Sequence, residues 1–110
     1  MVQLLLDRGA DPNRANENGD IPLHIAAPQG YLDVVKHLLD RGANPNSRDR
    51  KGRTPLHEAV KVNEKDVVRL LLDRGADPDS RDRKGRSPSS EAHKKRKRHI
   101  INMMKRNARK

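Results

Sequence analysis

At 110 residues the chain is long enough for one domain, and 32% hydrophobic against 36% charged residues is apolar-poor and charge-rich. One Tyr with no Phe or Trp excludes a core built on aromatic rings and leaves a thin, elongated one of Leu, Val, Ile and Ala. The absence of cysteine excludes disulfides and thiolate metal sites, and no apolar run approaches the ~20 residues of a membrane span. Met1 to Asp11 lacks the basic start and small-residue cleavage site of a secretory signal. We therefore expect a soluble, intracellular protein of the cytoplasm or nucleus. The formal charge of +10 is unevenly spread. Residues 1–80 carry 12 Lys/Arg and 13 Asp/Glu, whereas residues 81–110 carry 13 Lys/Arg and 2 Asp/Glu. Such asymmetry points to a basic segment that meets acidic partners, nucleic acid or transport receptors.

In chain order, the first segment is Leu5-Leu6-Asp7-Arg8-Gly9-Ala10-Asp11-Pro12-Asn13, an apolar helix end followed by a Gly stop and a turn. It recurs from Leu38 to Asn46 and from Leu71 to Asp79, both at a step of 33 residues. Gly19, Gly52 and Gly85 keep the same step, as do Pro22, Pro55 and Pro88, and Ala26, Ala59 and Ala92. Met1 aligns with Val34, so the chain is expected to begin inside the second helix of a unit, with Val2, Leu4 and Leu5 poorly covered. The next helix opens at Ile21-Pro22, where Ile21 stands at the capping position, and Pro28 should disturb a backbone bond in its last turn.

The middle unit gives the fullest reading. Thr54 can cap a helix and Pro55 suits its first position, where no N–H is needed. Leu56, Ala59 and Val60 form an apolar stripe, and Asn63 can close the helix in a left-handed conformation. Val67, Val68, Leu70, Leu71 and Leu72 predict a second helix, with Asp66 near its start complementing the helix dipole. Gly75 ends it, Asp77-Pro78 extends the chain, and Asp82-Arg83-Lys84-Gly85 turns it. Neither helix is long enough to be stable alone, so each must bury its stripe against a neighbouring unit, which is the logic of a solenoid.

The segment Thr54-Pro55-Leu56-His57-Glu58-Ala59 resembles the signature of the ankyrin repeat, at the matching period, and Ile21-Pro22-Leu23-His24-Ile25-Ala26 departs from it only at Ile21. The resemblance covers residues 1 to about 92. It implies an all-α fold, a short ankyrin-repeat solenoid of antiparallel helix pairs with hairpin-like loops. The repeat domain is expected over 1–92, with a half repeat at 1–18 and full repeats at 19–51 and 52–84. A degenerate capping repeat with a basic tail is expected over 85–110, where Ser89 and Ser90 replace Leu56 and His57 while Pro88, Ala92, Ile100, Ile101, Met103 and Met104 stay in register.

The resemblance also implies that His24 and His57 are structural, bonding backbone groups between units, and that loop tips line a groove that holds partners. Ser47-Arg48-Asp49-Arg50-Lys51-Gly52-Arg53 is identical to Ser80-Arg81-Asp82-Arg83-Lys84-Gly85-Arg86, so Arg48, Arg50, Arg53, Arg81, Arg83 and Arg86 are expected as a ladder along one rim. The planar Arg fork suits carboxylate and phosphate. A solvated pair of duplicated loops is the plainer alternative. The run Lys94-Lys95-Arg96-Lys97-Arg98 resembles a short basic nuclear localisation signal, and is also expected to be largely exposed and mobile. The alternatives are a nucleic-acid or polyanion contact and a solubilising terminus.

No carboxylate pair, phosphate loop or nucleophile motif suggests catalysis, and no ligand set suggests a metal or cofactor. The expected function is non-enzymatic recognition of a protein partner, with an acidic segment, through the loop tips and concave groove. Electrostatic nucleic-acid or polyanion binding through the C-terminal segment is the alternative. No membrane role is expected, and the chain is read as a monomer or part of a longer repeat array.

Overall fold

The computed structural model describes residues 11–108. The expectation for Val2, Leu4 and Leu5 lies outside these residues. Among the described residues six α-helices form three pairs: α1 (Pro22–Ala26) with α2 (Leu32–Asp40), α3 (Pro55–Lys61) with α4 (Lys65–Asp73), and α5 (Pro88–Lys94) with α6 (Arg98–Ala108). The first helices stack as one layer, α1 on α3 on α5, and the second helices as another, α2 on α4 on α6. The result is elongated, 41 × 26 × 23 Å, and all-α, with no strand among the described residues.

Each first helix begins with a Pro, and α3 and α5 add a side-chain cap before it. Thr54 Oγ1 accepts from the His57 amide, and His57 Nδ1 in turn accepts from the Thr54 amide at 3.0 Å, a reciprocal capping box. Ser87 and Ser90 rebuild the same box in the last unit, with the Ser90 amide donating to Ser87 Oγ at 3.0 Å and the Ser87 amide to Ser90 Oγ at 2.8 Å. Ser90 thus replaces the capping half of the histidine's task. Ile21 has no hydroxyl to cap with, and only the reverse bond, from its amide to His24 Nδ1 at 3.1 Å, remains.

Pro28 does interrupt α1. The helix stops after five residues and continues as a 3-10 turn, Ala27–Gln29, whereas α3 and α5 each run seven. The turns between paired helices all need one left-handed residue, at Gly30 (φ 72°), Asn63 (φ 65°) and Arg96 (φ 54°), which keep the repeat step. The second helices α2 and α4 stop before Gly42 and Gly75. Ala108 stands at that position in the last unit, and α6 runs through it to eleven residues.

The core follows the repeat. Leu23 and Leu56 are fully buried in the first layer, and Leu38 and Leu71 in the second, with Ile100, Met103 and Met104 continuing the line into α6. Full burial of one such side chain stabilises by about 1.5–3 kcal/mol. Side chains also lace unit to unit. Asn13 and Asn46 each donate to the carbonyl of the following Gly, Gly42 or Gly75, at 3.0 Å, and accept from the amides of Asn44 and Asp77 at 2.6 and 2.7 Å. Asp40 and Arg74, at the ends of α2 and α4, pair between neighbouring units at 2.6 Å.

Candidate interaction groove

The loops that follow α2 and α4 project beside the first helices and are joined edge to edge. The Arg50 amide donates to the Asn18 carbonyl at 3.1 Å, and one repeat later the Arg83 amide donates to Lys51 at 2.9 Å. Within each loop an Asx side chain gathers two amides. Asn16 Oδ1 takes those of Asn18 and Asp20, Asp49 Oδ1 those of Lys51 and Arg53, and Asp82 Oδ1 those of Lys84 and Arg86. This fixes the tip that carries Arg50 and Arg83.

The six loop arginines have four different placements. Arg50, Arg81 and Arg83 are exposed at the tips. Arg48, though exposed, is spent as a staple: its guanidinium donates to the Gly52 carbonyl in its own loop and to the Arg81 carbonyl in the next. Arg53 departs from the expected rim altogether. It is buried behind the loop, where Nη1 meets Asp82 at 2.8 Å, Nε meets Glu58 at 2.9 Å and Nη2 meets Glu91 at 2.9 Å. Arg86, half exposed, adds a fourth contact, to Asp82 at 3.2 Å.

Burial would make the Arg53 proton easier to lose, but Glu58, Glu91 and Asp82 more than offset this and raise its pKa. Burial likewise pushes Asp82 toward its neutral form. The Arg86 amide, the Arg53 guanidinium, the Lys84 amide and the Arg86 charge together outweigh it and hold the carboxyl at about 2. A guanidinium with three carboxylates around it can use its planar fork fully, which Lys could not. The sequence did carry a signal for this cluster: a Glu five residues after Arg53, at Glu58, and the same Glu one repeat on, at Glu91.

His24 and His57 tie the units together. Each has Nδ1 accepting from a backbone amide, of Ile21 or Thr54, so Nε2 carries the proton and donates to the next unit, to Arg53 O at 2.9 Å and Arg86 O at 2.8 Å. Burial lowers the His57 pKa, helped by the Arg53 charge and opposed by its bond to the Arg86 carbonyl. His24 also lies with Asp20 and Asp49, their ligand atoms within 4.8 Å of one another. Both its nitrogens are already engaged, so it has no lone pair to give a cation without breaking the tie between units.

The loops and first helices enclose an open groove of about 800 Å³ lined by Arg50, Lys51, Glu58, Lys61, Arg83 and Lys84, with the Arg53 cluster at its floor. The acids here are largely spent inward. Asp82, Glu58 and Glu91 hold Arg53, and Asp49 holds two amides. Arg50, Lys51, Lys61, Arg83 and Lys84 form no ion pair among the described residues.

The basic run is a folded turn in this structure, in place of the mobile tail that charge density alone suggests. Lys94 ends α5, Lys95 and Arg96 turn the chain, and Arg98 opens α6. Lys97 is half-buried, and its Nζ donates to the carbonyls of Val60 and Lys61 at the end of α3. That caps the helix with a cation. Burial, then the Lys95 charge, lowers the Lys97 pKa. Lys94, Lys95, Arg96 and Arg98 stay exposed.

Stacked helix pairs, loops bridged rung to rung and a polar groove define a helical-repeat binding scaffold. A family model for ankyrin repeats, in 3 copies, matches residues 1–82. The chain belongs to the ankyrin-repeat family, whose members are generally protein–protein interaction modules. The match stops short of α5 and α6, the pair whose first helix carries Ser89 and Ser90. Comparison with curated proteins returns no match.

Proposed function

We propose that the chain is a non-enzymatic recognition module that holds an acidic, extended protein segment in the groove. The observation that carries this reading is the imbalance of commitments. Four of the groove's five carboxylates are held, Asp82, Glu58 and Glu91 by Arg53 and Arg86 and Asp49 by backbone amides, leaving Asp20, while Arg50 and Arg83 sit on rigid tips one repeat apart with Lys51 and Lys84 beside them. Seven basic side chains line the groove against five carboxylates, and this surplus favours an anionic guest, while fixed spacing gives register as well as attraction.

Affinity capture from cells followed by amine crosslinking tests this. Proteins crosslinked through Lys51 and Lys84 should map to segments rich in Asp and Glu, and the double variant Arg50→Glu, Arg83→Glu should lose them. Crosslinks confined to residues outside the groove, or capture undiminished by the double variant, would sink the reading.

A further inference from the structure

A second cationic surface lies on the outer face of the last two helix pairs, away from the groove. Lys65 and Arg69 stand four residues apart on α4, and so on one face of that helix. Arg98 and Arg106 project from α6, which packs beside α4. Arg69 and Arg106 come together over a cleft of about 250 Å³. The turn carrying Lys95 and Arg96 leads into α6 and is held against α3 by Lys97. All six are exposed, and none is ion-paired among the described residues. The exposed acids on α4 are Asp66 and Asp73, and Asp73 lines the cleft with Arg69 and Arg106.

We propose that this outer face, formed by Lys65, Arg69, Lys95, Arg96, Arg98 and Arg106, docks the phosphate backbone of a nucleic-acid duplex. The composition favours phosphate over a protein surface. Protein interfaces are anchored by buried aromatic and apolar side chains and are depleted in Lys. Of the large exposed apolar residues, Ile25, Tyr31 and Leu32 belong to the first helix pair, and only Val62 comes near this face. The lack of aromatic rings also removes the stacking platforms a single strand would need, leaving the duplex backbone as the fitting ligand. Arg96 supports the assignment. It keeps its charge at a left-handed position where the earlier units carry Gly30 and Asn63, which suit that backbone better. The surface is separate from the groove, so either reading can fail alone.

The test is fluorescence anisotropy of the full chain with a short mixed-sequence DNA duplex, between about 50 and about 200 mM salt. Six phosphate contacts predict a log–log salt slope of about −5. The double variant Lys65→Gln, Arg69→Gln lies outside both the basic run and the groove, and should make the slope shallower by about 2. Lys95→Gln with Arg98→Gln should do the same, while Arg50→Gln with Arg83→Gln should leave it unchanged. A slope indifferent to Lys65 and Arg69 would overturn the proposal by reducing the surface to the run alone. So would poly-glutamate competing as well as duplex at equal charge, which would reassign the face to an acidic protein.

Discussion

Arg53 and Asp82 meet at 2.8 Å across the boundary between two helix pairs, with only 7% and 1% of their side chains exposed. The pair is therefore shielded from the screening that makes surface ion pairs weak, and it adds to the Arg53–Glu91, His57–Arg86 and Lys97–Val60 ties between the same units. Asp82→Asn keeps the shape but removes the charge facing Arg53. It should cost about 1.5–3 kcal/mol, the range for a hydrogen bond to a charged group, measured as a shift in denaturant midpoint. The same carboxyl sets an acid limit. Its folded pKa of about 2 lies below the ordinary aspartate value of 3.8, so its contribution is complete above that value and is lost as pH falls from 3.8 toward 2. That loss amounts to about 2 kcal/mol and should be missing from the acid titration of Asp82→Asn.

His57 governs a second, milder window. Its neutral ring accepts from Thr54 and donates to Arg86, and burial lowers its pKa below the ordinary histidine value of 6.5. The unfolded chain then takes up a proton that the folded one refuses, so stability falls as pH drops below 6.5. Thermal melts of the wild type should shift downward between about pH 7 and about pH 5, and His57→Gln should flatten that dependence while lowering stability throughout. A wild-type melting temperature constant across this range would contradict the assignment.

Gly19 and Gly75 separate steric from torsional cost. Both have positive φ, 78° and 93°. A Cβ on Gly75 would meet nothing within 4 Å, so Gly75→Ala should cost only the left-handed strain, about 1 kcal/mol. A Cβ on Gly19 would stand 2.9 Å from the Arg50 backbone nitrogen, in the rung that joins two loops. Gly19→Ala should therefore cost more than Gly75→Ala and lower hydrogen-exchange protection of the Arg50 amide. Equal costs would mean that the rung between loops is not formed.

The fold was legible because each unit repeats its own signals. Thr54, Pro55, Asn63 and Gly75 all act as their chemistry suggests, as cap, first-turn residue, left-handed turn and stop. Charge was read less well, because charge in a sequence says nothing of distance. Arg48, Arg50 and Arg53 lie within six residues, yet one staples two loops, one stands free and one is buried under three carboxylates drawn from two distant segments and the helix it precedes. Lys97 is likewise one of five consecutive cations, and only the neighbouring unit's exposed carbonyls single it out. Such roles depend on contacts 29 to 38 residues away, beyond the reach of local pattern.

Arg96 offers the clearest exchange between stability and charge. Its φ of 54° places a long L-residue in the left-handed region that Gly30 and Asn63 occupy in the units before it. Its side chain is exposed and forms no hydrogen bond or ion pair among the described residues, so no contact offsets the backbone strain. Asn reaches that region at lower cost through local hydrogen bonding of its short side chain. Arg96→Asn should therefore stabilise the chain, by about 0.5–1 kcal/mol in a denaturant melt, at the low end for relief of this strain. It should also shrink the salt slope for duplex binding by about 1, because one phosphate contact is lost. Arg96→Lys is the control: it keeps the charge and the strain, and should leave both stability and salt slope near the wild-type values. If Arg96→Asn instead lowers the midpoint, the guanidinium holds the turn in place, and the charge is there for the fold itself.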